Sequence, residues 1–170
     1  MIKTNSLSKK YKKSAHFAMD ALTLDIPSGG IFGILGPNGA GKTTLMSILC
    51  GLITPTSGSF SINGMNFQEN ATELKKTIGI VPQEYSLYPT LTAWENLQYF
   101  GAMYGIPKPK LNQSISEQLK NNGLEEFAHQ KINAFSGGMK RRVNLIAGIL
   151  HAPKILFLDE PTVGVDVHSK

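Results

Sequence analysis

Glycines, a lysine and a threonine at fixed spacing form the stretch of this sequence with the most specific chemistry. Residues 36–43 fit the pattern G-x-x-x-x-G-K-T. Glycines at these positions let successive backbone N–H groups turn toward one phosphate. The Lys42 amine can pair with phosphate oxygens, and the Thr43 hydroxyl can bind Mg²⁺. The pattern therefore predicts a phosphate-binding loop (Walker A); the alternative is a glycine-rich turn with a chance lysine.

Two adjacent carboxylates follow a second apolar run. Residues 155–158 are all apolar, and Asp159 and Glu160 come directly after them. In an open α/β sheet, ligands bind beyond the carboxyl ends of the strands. With a phosphate loop in the same chain, Asp159 is expected to hold Mg²⁺ and Glu160 to orient and polarise an attacking water. The alternative is a strand followed by a solvated acidic turn.

A Ser-Gly-Gly sequence at residues 136–138 is the third motif. Ser136 is suited to cap a helix where the first N–H groups lack partners, as serines do in many ordinary helices. Two glycines after the cap disfavour helix, but they suit a backbone that must approach a ligand closely. The motif therefore indicates a helix N-terminus that contacts a ligand.

The elements expected to position these motifs alternate between strands and helices. The predicted strands are 2–7 at a sheet edge, 17–26 in antiparallel pairing, 31–35 before the phosphate loop, 59–62, 78–81 and 155–158. The predicted helices are 42–50, 69–77, 92–104, 112–121 and 136–151. Glycine and proline residues mark most of the boundaries. The order predicts an α/β fold whose buried strand 31–35 leads directly into the phosphate loop.

Length and composition favour one domain in the cytoplasm. The chain has 170 residues, enough for a full core, and no apolar run approaches the roughly 18 residues of a membrane span. The first residues lack the apolar core of a signal peptide, and the single cysteine, Cys50, excludes a disulfide framework. The net charge of +5 includes a basic cluster at Lys9, Lys10, Lys12 and Lys13. This charge fits a solvated surface and is compatible with a phosphate-rich ligand or an anionic membrane face.

In this order and spacing, the motifs resemble those of the nucleotide-binding domain of ABC transporters along nearly the whole chain. Phe135–Met139 is similar to the family signature Leu-Ser-Gly-Gly-Gln, with Phe and Met at the outer positions. Val81–Gln83 is similar to the Q-loop, and residues 160–166 are similar to the catalytic glutamate followed by the D-loop. Tyr11 lies where the family places an aromatic residue that stacks on adenine.

The resemblance implies a P-loop NTPase fold. Its RecA-like core has a parallel sheet, and an N-terminal antiparallel β region and an α-helical subdomain are added to it. The implied parts of this single ATP-binding domain, incomplete at its C-terminus, are a β region with the Walker A core at about 1–83, the helical subdomain at 84–135, and the signature helix, Walker B and D-loop at 136–170.

The resemblance also implies ATP and Mg²⁺ as ligands and assigns roles to residues. Glu160, Gln83 and Lys42 would be catalytic, and Thr43, Gln83 and Asp159 would bind Mg²⁺. The residues expected to contact nucleotide are Tyr11, Gly36, Pro37, Asn38, Gly39, Ala40, Gly41, Lys42, Thr43, Thr44, Ser136, Gly137 and Gly138.

The implied partners are a second ATP-binding domain and a transmembrane permease subunit, with no nucleic acid. Ser136 and Gly138 would act on the ATP held by the second copy, in a head-to-tail dimer. Residues 84–106 would receive a coupling helix of the permease. Three aromatic residues suit that surface: Tyr85, Tyr88 and Trp94. Their alternative role is packing within the helical subdomain.

The implied function is hydrolysis of ATP to ADP and phosphate, which powers transport at the cytoplasmic face of the membrane. The sequence of the phosphate loop, with Met-Lys-Arg-Arg after the signature glycines, resembles that of exporter-type and antibiotic-resistance ATPases. Two alternatives remain: a non-transport ABC-type ATPase that acts on ribosomes or DNA, and a nucleotide-binding fragment without activity.

The sequence departs from the family at its end. The family carries a switch histidine on a strand well after the D-loop, whereas His168 comes only eight residues after Glu160. The chain therefore looks truncated at the C-terminus. We expect strands 31–35 and 155–158 to lack the strand that the resemblance places between them, and residues 1–170 alone not to be a competent ATPase.

Overall fold

The structure, a computed structural model, describes residues 1–160. The predicted D-loop after Glu160 and His168 lie outside the described residues. The chain divides into two compact units, the first at Met1–Lys75 and the second beginning at Lys76. The division of one domain into three parts, inferred from the sequence, stays a prediction.

An antiparallel sheet forms most of the first unit. Its strands are β1 (Ile2–Lys9), β2 (Met19–Ile26), β3 (Ser57–Ile62) and β4 (Met65–Asn66), in the order β2-β1-β3-β4. Ile2 pairs with Ile26 on one side and with Ile62 on the other. The prediction that β1 is an edge strand is wrong, because β1 has a hydrogen-bonded neighbour on each side and an apolar pattern does not report how many neighbours a strand has.

Two helices complete the first unit: α1 (Lys42–Leu49) and α2 (Phe67–Thr77), which runs into the second unit. The helix predicted after the phosphate loop is confirmed, and it buries Leu45, Ile48 and Leu49. Cys50 at its end is buried as well. Burial raises the pKa of its thiol to about 12, so it remains an uncharged, unreactive core residue.

Residues 31–35 form no strand, so this prediction is wrong. No segment between residues 1 and 160 pairs with them as a strand, and the side chains of Ile31 and Leu35 are almost fully exposed. A strand is stable only where a neighbour completes its backbone hydrogen bonds. An apolar run shows that a segment could be buried in a sheet, but not that its neighbour is in place.

The second unit contains a parallel strand pair and a cluster of helices. β5 (Ile78–Val81) pairs in parallel with β6 (Ile155–Leu158), and the register runs from Ile78 opposite Ile155 to Val81 opposite Leu158. The helices are α3 (Ala93–Met103), α4 (Lys108–Asn121) and α5 (Gly137–Ile149), with short 3-10 turns at Glu125–Phe127 and Ile132–Ala134. Both strands and the three helices are confirmed.

Helix α4 begins four residues earlier than predicted. Pro107 is its N-cap and Pro109 lies in its first turn, where a residue without an N–H group leaves no hydrogen bond unmade. Leu97 of α3, Ile115 of α4 and Val143 of α5 are fully buried in a common apolar core. Among residues 1–160, no helix combines the length and apolarity that a membrane span needs.

Helix α5 and strand β5 approach each other through glycines. A Cβ atom on Gly79 would lie 2.3 Å from the carbonyl oxygen of Gly148, and one on Gly148 would lie 2.7 Å from Cγ2 of Val81. Real Cβ atoms are essentially never found under 3.0 Å, so this packing requires both glycines. Arg141, Asn144 and Gly148 lie on one face of α5 because they are three and four residues apart. The close approach therefore brings two polar side chains to the end of β5.

Replacing Gly79 with alanine should destabilise the protein by about 1–3 kcal/mol. The new methyl group meets the backbone of Gly148 rather than a flexible side chain, so helix and strand must separate. Chemical denaturation of the full-length protein measures the effect. Gly30→Ala is the control, because a Cβ atom there meets nothing within 4 Å. Equal stability of the two variants would contradict the packing argument.

Candidate functional site

The phosphate loop depends on glycines with left-handed backbone conformations. Gly39 has a φ of 82° and Gly41 a φ of 86°, a region that residues with a side chain rarely adopt. A Cβ atom on Gly41 would also lie 2.4 Å from the carbonyl oxygen of Ala18. The glycine at position 41 is therefore required both by its conformation and by the close approach of another backbone segment.

The lysine of the motif folds back over its own loop. The Lys42 Nζ atom donates hydrogen bonds to the carbonyl oxygens of Gly36, at 2.8 Å, and of Pro37, at 3.0 Å. Helix α1 begins at this lysine, and its N-cap Gly41 provides no side-chain hydrogen bond. A positive helix end and an ammonium group thus lie at one loop, which is the arrangement that binds phosphate.

Tyr11 is placed beside the same loop within the first unit. Its hydroxyl group lies 3.4 Å from Oγ1 of Thr44, and its side chain is 45% exposed. The Lys9 amine lies 5.4 Å from the ring centroid, close enough for a cation–π interaction. An aromatic ring that is this exposed can still stack on a planar ligand.

In the second unit, the structure brings together the predicted Q-loop glutamine and the predicted catalytic glutamate. The Gln83 Nε2 atom donates a hydrogen bond to Oε2 of Glu160 at 2.8 Å. Both residues follow the carboxyl ends of the parallel strands β5 and β6, and the N–H group of Asp159 donates to the carbonyl of Val81 at 3.0 Å. Glu160 has a φ of 46°, which is uncommon for a residue other than glycine. The Gln83 amide and the Glu160 carboxylate therefore meet where an α/β sheet binds ligands, and Asp159 directly precedes Glu160 there.

Sequence reasoning missed Arg141, the residue that contacts both strand ends. Its Nη1 atom donates to the carbonyl oxygens of Pro82, at 2.9 Å, and Gln83, at 3.3 Å. Its Nη2 atom donates to those of Asp159, at 3.1 Å, and Glu160, at 2.9 Å. The whole residue is only 9% exposed. The available signal was its spacing of three and seven residues from Asn144 and Gly148, which places it on the buried face of α5.

The Ser-Gly-Gly motif forms the start of α5 as expected from a capping serine. The Oγ atom of Ser136 accepts a hydrogen bond from the N–H group of Met139 at 3.3 Å. A Cβ atom on Gly138 would meet nothing within 4 Å, and one on Gly137 would meet only the Tyr85 hydroxyl, at 3.7 Å. Packing within the described part of the chain therefore does not explain either glycine.

The three aromatic residues predicted at a permease surface differ in burial. Tyr85 and Tyr88 are exposed, whereas Trp94 packs partly against the helical core and lies beside His129. The Tyr85 hydroxyl donates to the carbonyl of Gly137 at 3.1 Å. Packing within the helical cluster thus describes Trp94 and also Tyr88, whose ring centroid lies 5.0 Å from that of Tyr99 and 6.3 Å from that of Phe100 in α3.

Comparison with known proteins identifies the family of the chain. Residues 19–163 match the family model of the ABC transporter, a stretch that contains the phosphate loop, the Gln83–Glu160 pair and the Ser-Gly-Gly helix. The chain belongs to the ABC transporter family. It represents the ATP-binding domain of this family, and its fold is that of a P-loop NTPase.

Curated ABC relatives match nearly all of this chain. The linearmycin resistance ATP-binding protein LnrL of Bacillus subtilis is 43% identical over 170 residues, which are 100% of this chain and 54% of LnrL. The probable multidrug ABC transporter ATP-binding protein YbhF of Escherichia coli is 39% identical over 98% of this chain and 28% of YbhF. The chain thus spans about half the length of one relative and less of the other.

A solved ABC cassette has the same fold. The dimeric, post-hydrolysis structure of the ATP-binding cassette MJ0796, bound to ADP and Pi, superposes with a TM-score of 0.88 at 30% identity. The match covers 98% of this chain and 77% of that one.

Replacing Lys42 with alanine should weaken ATP binding roughly 10–100-fold, since a hydrogen bond to a charged group contributes about 1.5–3 kcal/mol. Titration calorimetry on the full-length protein measures the affinity. Lys75→Ala removes the same charge from an exposed position of α2 and should bind like the wild type. Equal affinities in the two variants would show that the nucleotide does not bind at this loop.

Proposed function

We propose that this chain binds and hydrolyses ATP to power an ABC transporter, and that separate membrane subunits carry the substrate. The hydrogen bond between Gln83 and Glu160 is the observation that carries the proposal. It pairs a general base with a group that can orient water, at the end of a parallel strand pair, in a chain that also contains a phosphate loop.

The phosphate loop supplies binding. Backbone N–H groups of residues 36–44, other than Pro37, which has none, and the N-terminus of α1 receive the triphosphate. The carbonyls of Gly36 and Pro37 already hold the Lys42 amine over the loop, so the amine needs little reorganisation to reach phosphate oxygens. Tyr11, exposed beside Thr44, stacks on the adenine.

The donor atoms fit Mg²⁺, which prefers hard oxygen ligands. Thr43 has a hydroxyl oxygen and Asp159 has carboxylate oxygens, which are donors of this type. Gln83 directs its amide nitrogen to Glu160, so its amide oxygen is the atom left for a metal. The ion would neutralise negative charge on the phosphates while the γ-phosphoryl group is transferred to water.

Glu160 supplies the base for hydrolysis. Its carboxylate accepts a proton from water as the water oxygen bonds to the γ-phosphorus, and the bond from phosphorus to the ADP oxygen breaks. Gln83 holds the carboxylate in place through its amide. The products are ADP and inorganic phosphate.

A second ATP-binding domain and a permease subunit are the proposed partners of this chain in the transporter. Space around Gly138 allows a ligand held by another copy to approach the Ser136 end of α5, and the MJ0796 cassette is dimeric. The exposed Tyr85 and Tyr88 offer a surface to a permease at the cytoplasmic face of the membrane. Export is the direction that fits relatives named for linearmycin resistance and multidrug transport.

Replacing Glu160 with glutamine should reduce ATP turnover about 10²–10⁴-fold, because an amide cannot accept the proton of water. ATP should still bind, and gel filtration with ATP should show a trapped dimer of the full-length protein. Glu126→Gln removes a carboxylate from an exposed site and should keep wild-type turnover. Turnover near wild type in Glu160→Gln would refute the assignment of the base.

A further inference from the structure

We propose that Arg141 is a positioning residue for ATP hydrolysis, which fixes the backbone segments that carry Gln83 and Glu160. The inference rests on the proposed function, since these two side chains matter in this way only if ATP is hydrolysed at them. Arg141 itself contacts carbonyl groups and acts through the residues to which those carbonyls belong.

Each nitrogen of the guanidinium fork contacts one chain segment. Nη1 donates to the two carbonyls after β5, at Pro82 and Gln83, and Nη2 donates to the two after β6, at Asp159 and Glu160. The pairing of β5 with β6 sets the separation of the two segments as far as Val81 and Leu158, and the planar, rigid fork holds that separation in the residues beyond them. That separation determines whether the Gln83 amide can reach the Glu160 carboxylate, which it does at 2.8 Å.

Burial of Arg141 makes it costly to leave its guanidinium donors without partners. Arg141 is only 9% exposed, and its hydrogen-bond partners within residues 1–160 are backbone carbonyls. A buried cation is tolerated when its donors are satisfied and is costly when they are not. The guanidinium group therefore keeps its hydrogen bonds only while both strand ends keep their positions. Asn144, on the same helix face, donates a further hydrogen bond to the carbonyl of Pro82 at 3.2 Å.

Glu160 is the residue that most needs such support. Its φ of 46° is a conformation that a non-glycine residue keeps only when its surroundings hold it. Arg141 binds its carbonyl and Gln83 binds its carboxylate, so the residue is held at both ends. Loss of the hydrogen bond from Arg141 to the Glu160 carbonyl would let the backbone relax. The Glu160 carboxylate would then turn away from Gln83.

The test compares two neighbouring arginines in the full-length protein. Arg141→Lys keeps the charge but replaces the planar fork by a single ammonium nitrogen, whose three N–H donors cannot reproduce the contacts with four carbonyls. Arg142→Lys is the matched control, because Arg142 is exposed and donates to the carbonyl of Asn122 at the end of α4. We expect Arg141→Lys to lower kcat on the order of 10–100-fold with ATP affinity unchanged, and Arg142→Lys to behave like the wild type.

Two further measurements separate positioning from folding. Amide hydrogen exchange at residues 83–84 and 159–160 should be faster in Arg141→Lys than in Arg142→Lys, with the thermal transition retained. In a double-mutant cycle with Gln83→Ala, the loss of kcat from Arg141→Lys should shrink, because both act on the same contact.

Different results would contradict the positioning role of Arg141 and the proposed function. Wild-type kcat in Arg141→Lys, additive losses in the cycle, or unfolding of Arg141→Lys with loss of ATP binding would overturn the positioning role. Absence of ATP hydrolysis by the wild-type protein, with the exchange difference between Arg141→Lys and Arg142→Lys observed, would overturn the proposed function and with it the catalytic meaning of Arg141.

Discussion

The close contact between α5 and β5 at Gly79 and Gly148 is the constraint on which the second unit depends. Because neither residue has a side chain, the helix can lie directly on the strand. Only at that distance can Arg141 and Asn144, on the same helix face, reach the carbonyls at the end of β5. The close packing at Gly148, near the C-terminal end of α5, thus determines which carbonyls the polar side chains nearer its N-terminal end can reach. The Ser-Gly-Gly motif begins this same helix, so its placement follows from the same contact.

The two units contribute different chemistry, and each relies on backbone geometry more than on charge. In the first unit, left-handed glycines shape the loop, and its carbonyls hold the Lys42 amine. In the second, a left-handed Glu160 is held by Arg141 and Gln83. Phosphoryl transfer needs mainly placement and charge neutralisation. Few ionisable groups therefore suffice, provided that the backbone around them is fixed.

Much of this was predictable because it is encoded locally. The α1, α5, β5 and β6 segments follow from apolar periodicity with capping or breaking residues, and residues 36–43 from their spacing. Segment 31–35 could not be predicted correctly, because an apolar run does not reveal whether a partner strand lies beside it. Arg141 was missed because within Lys140–Arg142 it resembles a solvated cation. Its spacing from Gly148 was the only sequence signal of burial, and the meaning of that spacing becomes clear once α5 is seen to pack on β5.

We propose above all that this family member hydrolyses ATP with its own Gln83 and Glu160 groups. Phosphate release by the full-length wild-type protein, measured with Mg·ATP and then with ATP in excess chelator, tests it most directly. The expected result is saturable, Mg²⁺-dependent production of ADP and phosphate. Tight ATP binding at the phosphate loop without any phosphate release, in the presence of Mg²⁺ and the partner subunits, would contradict it.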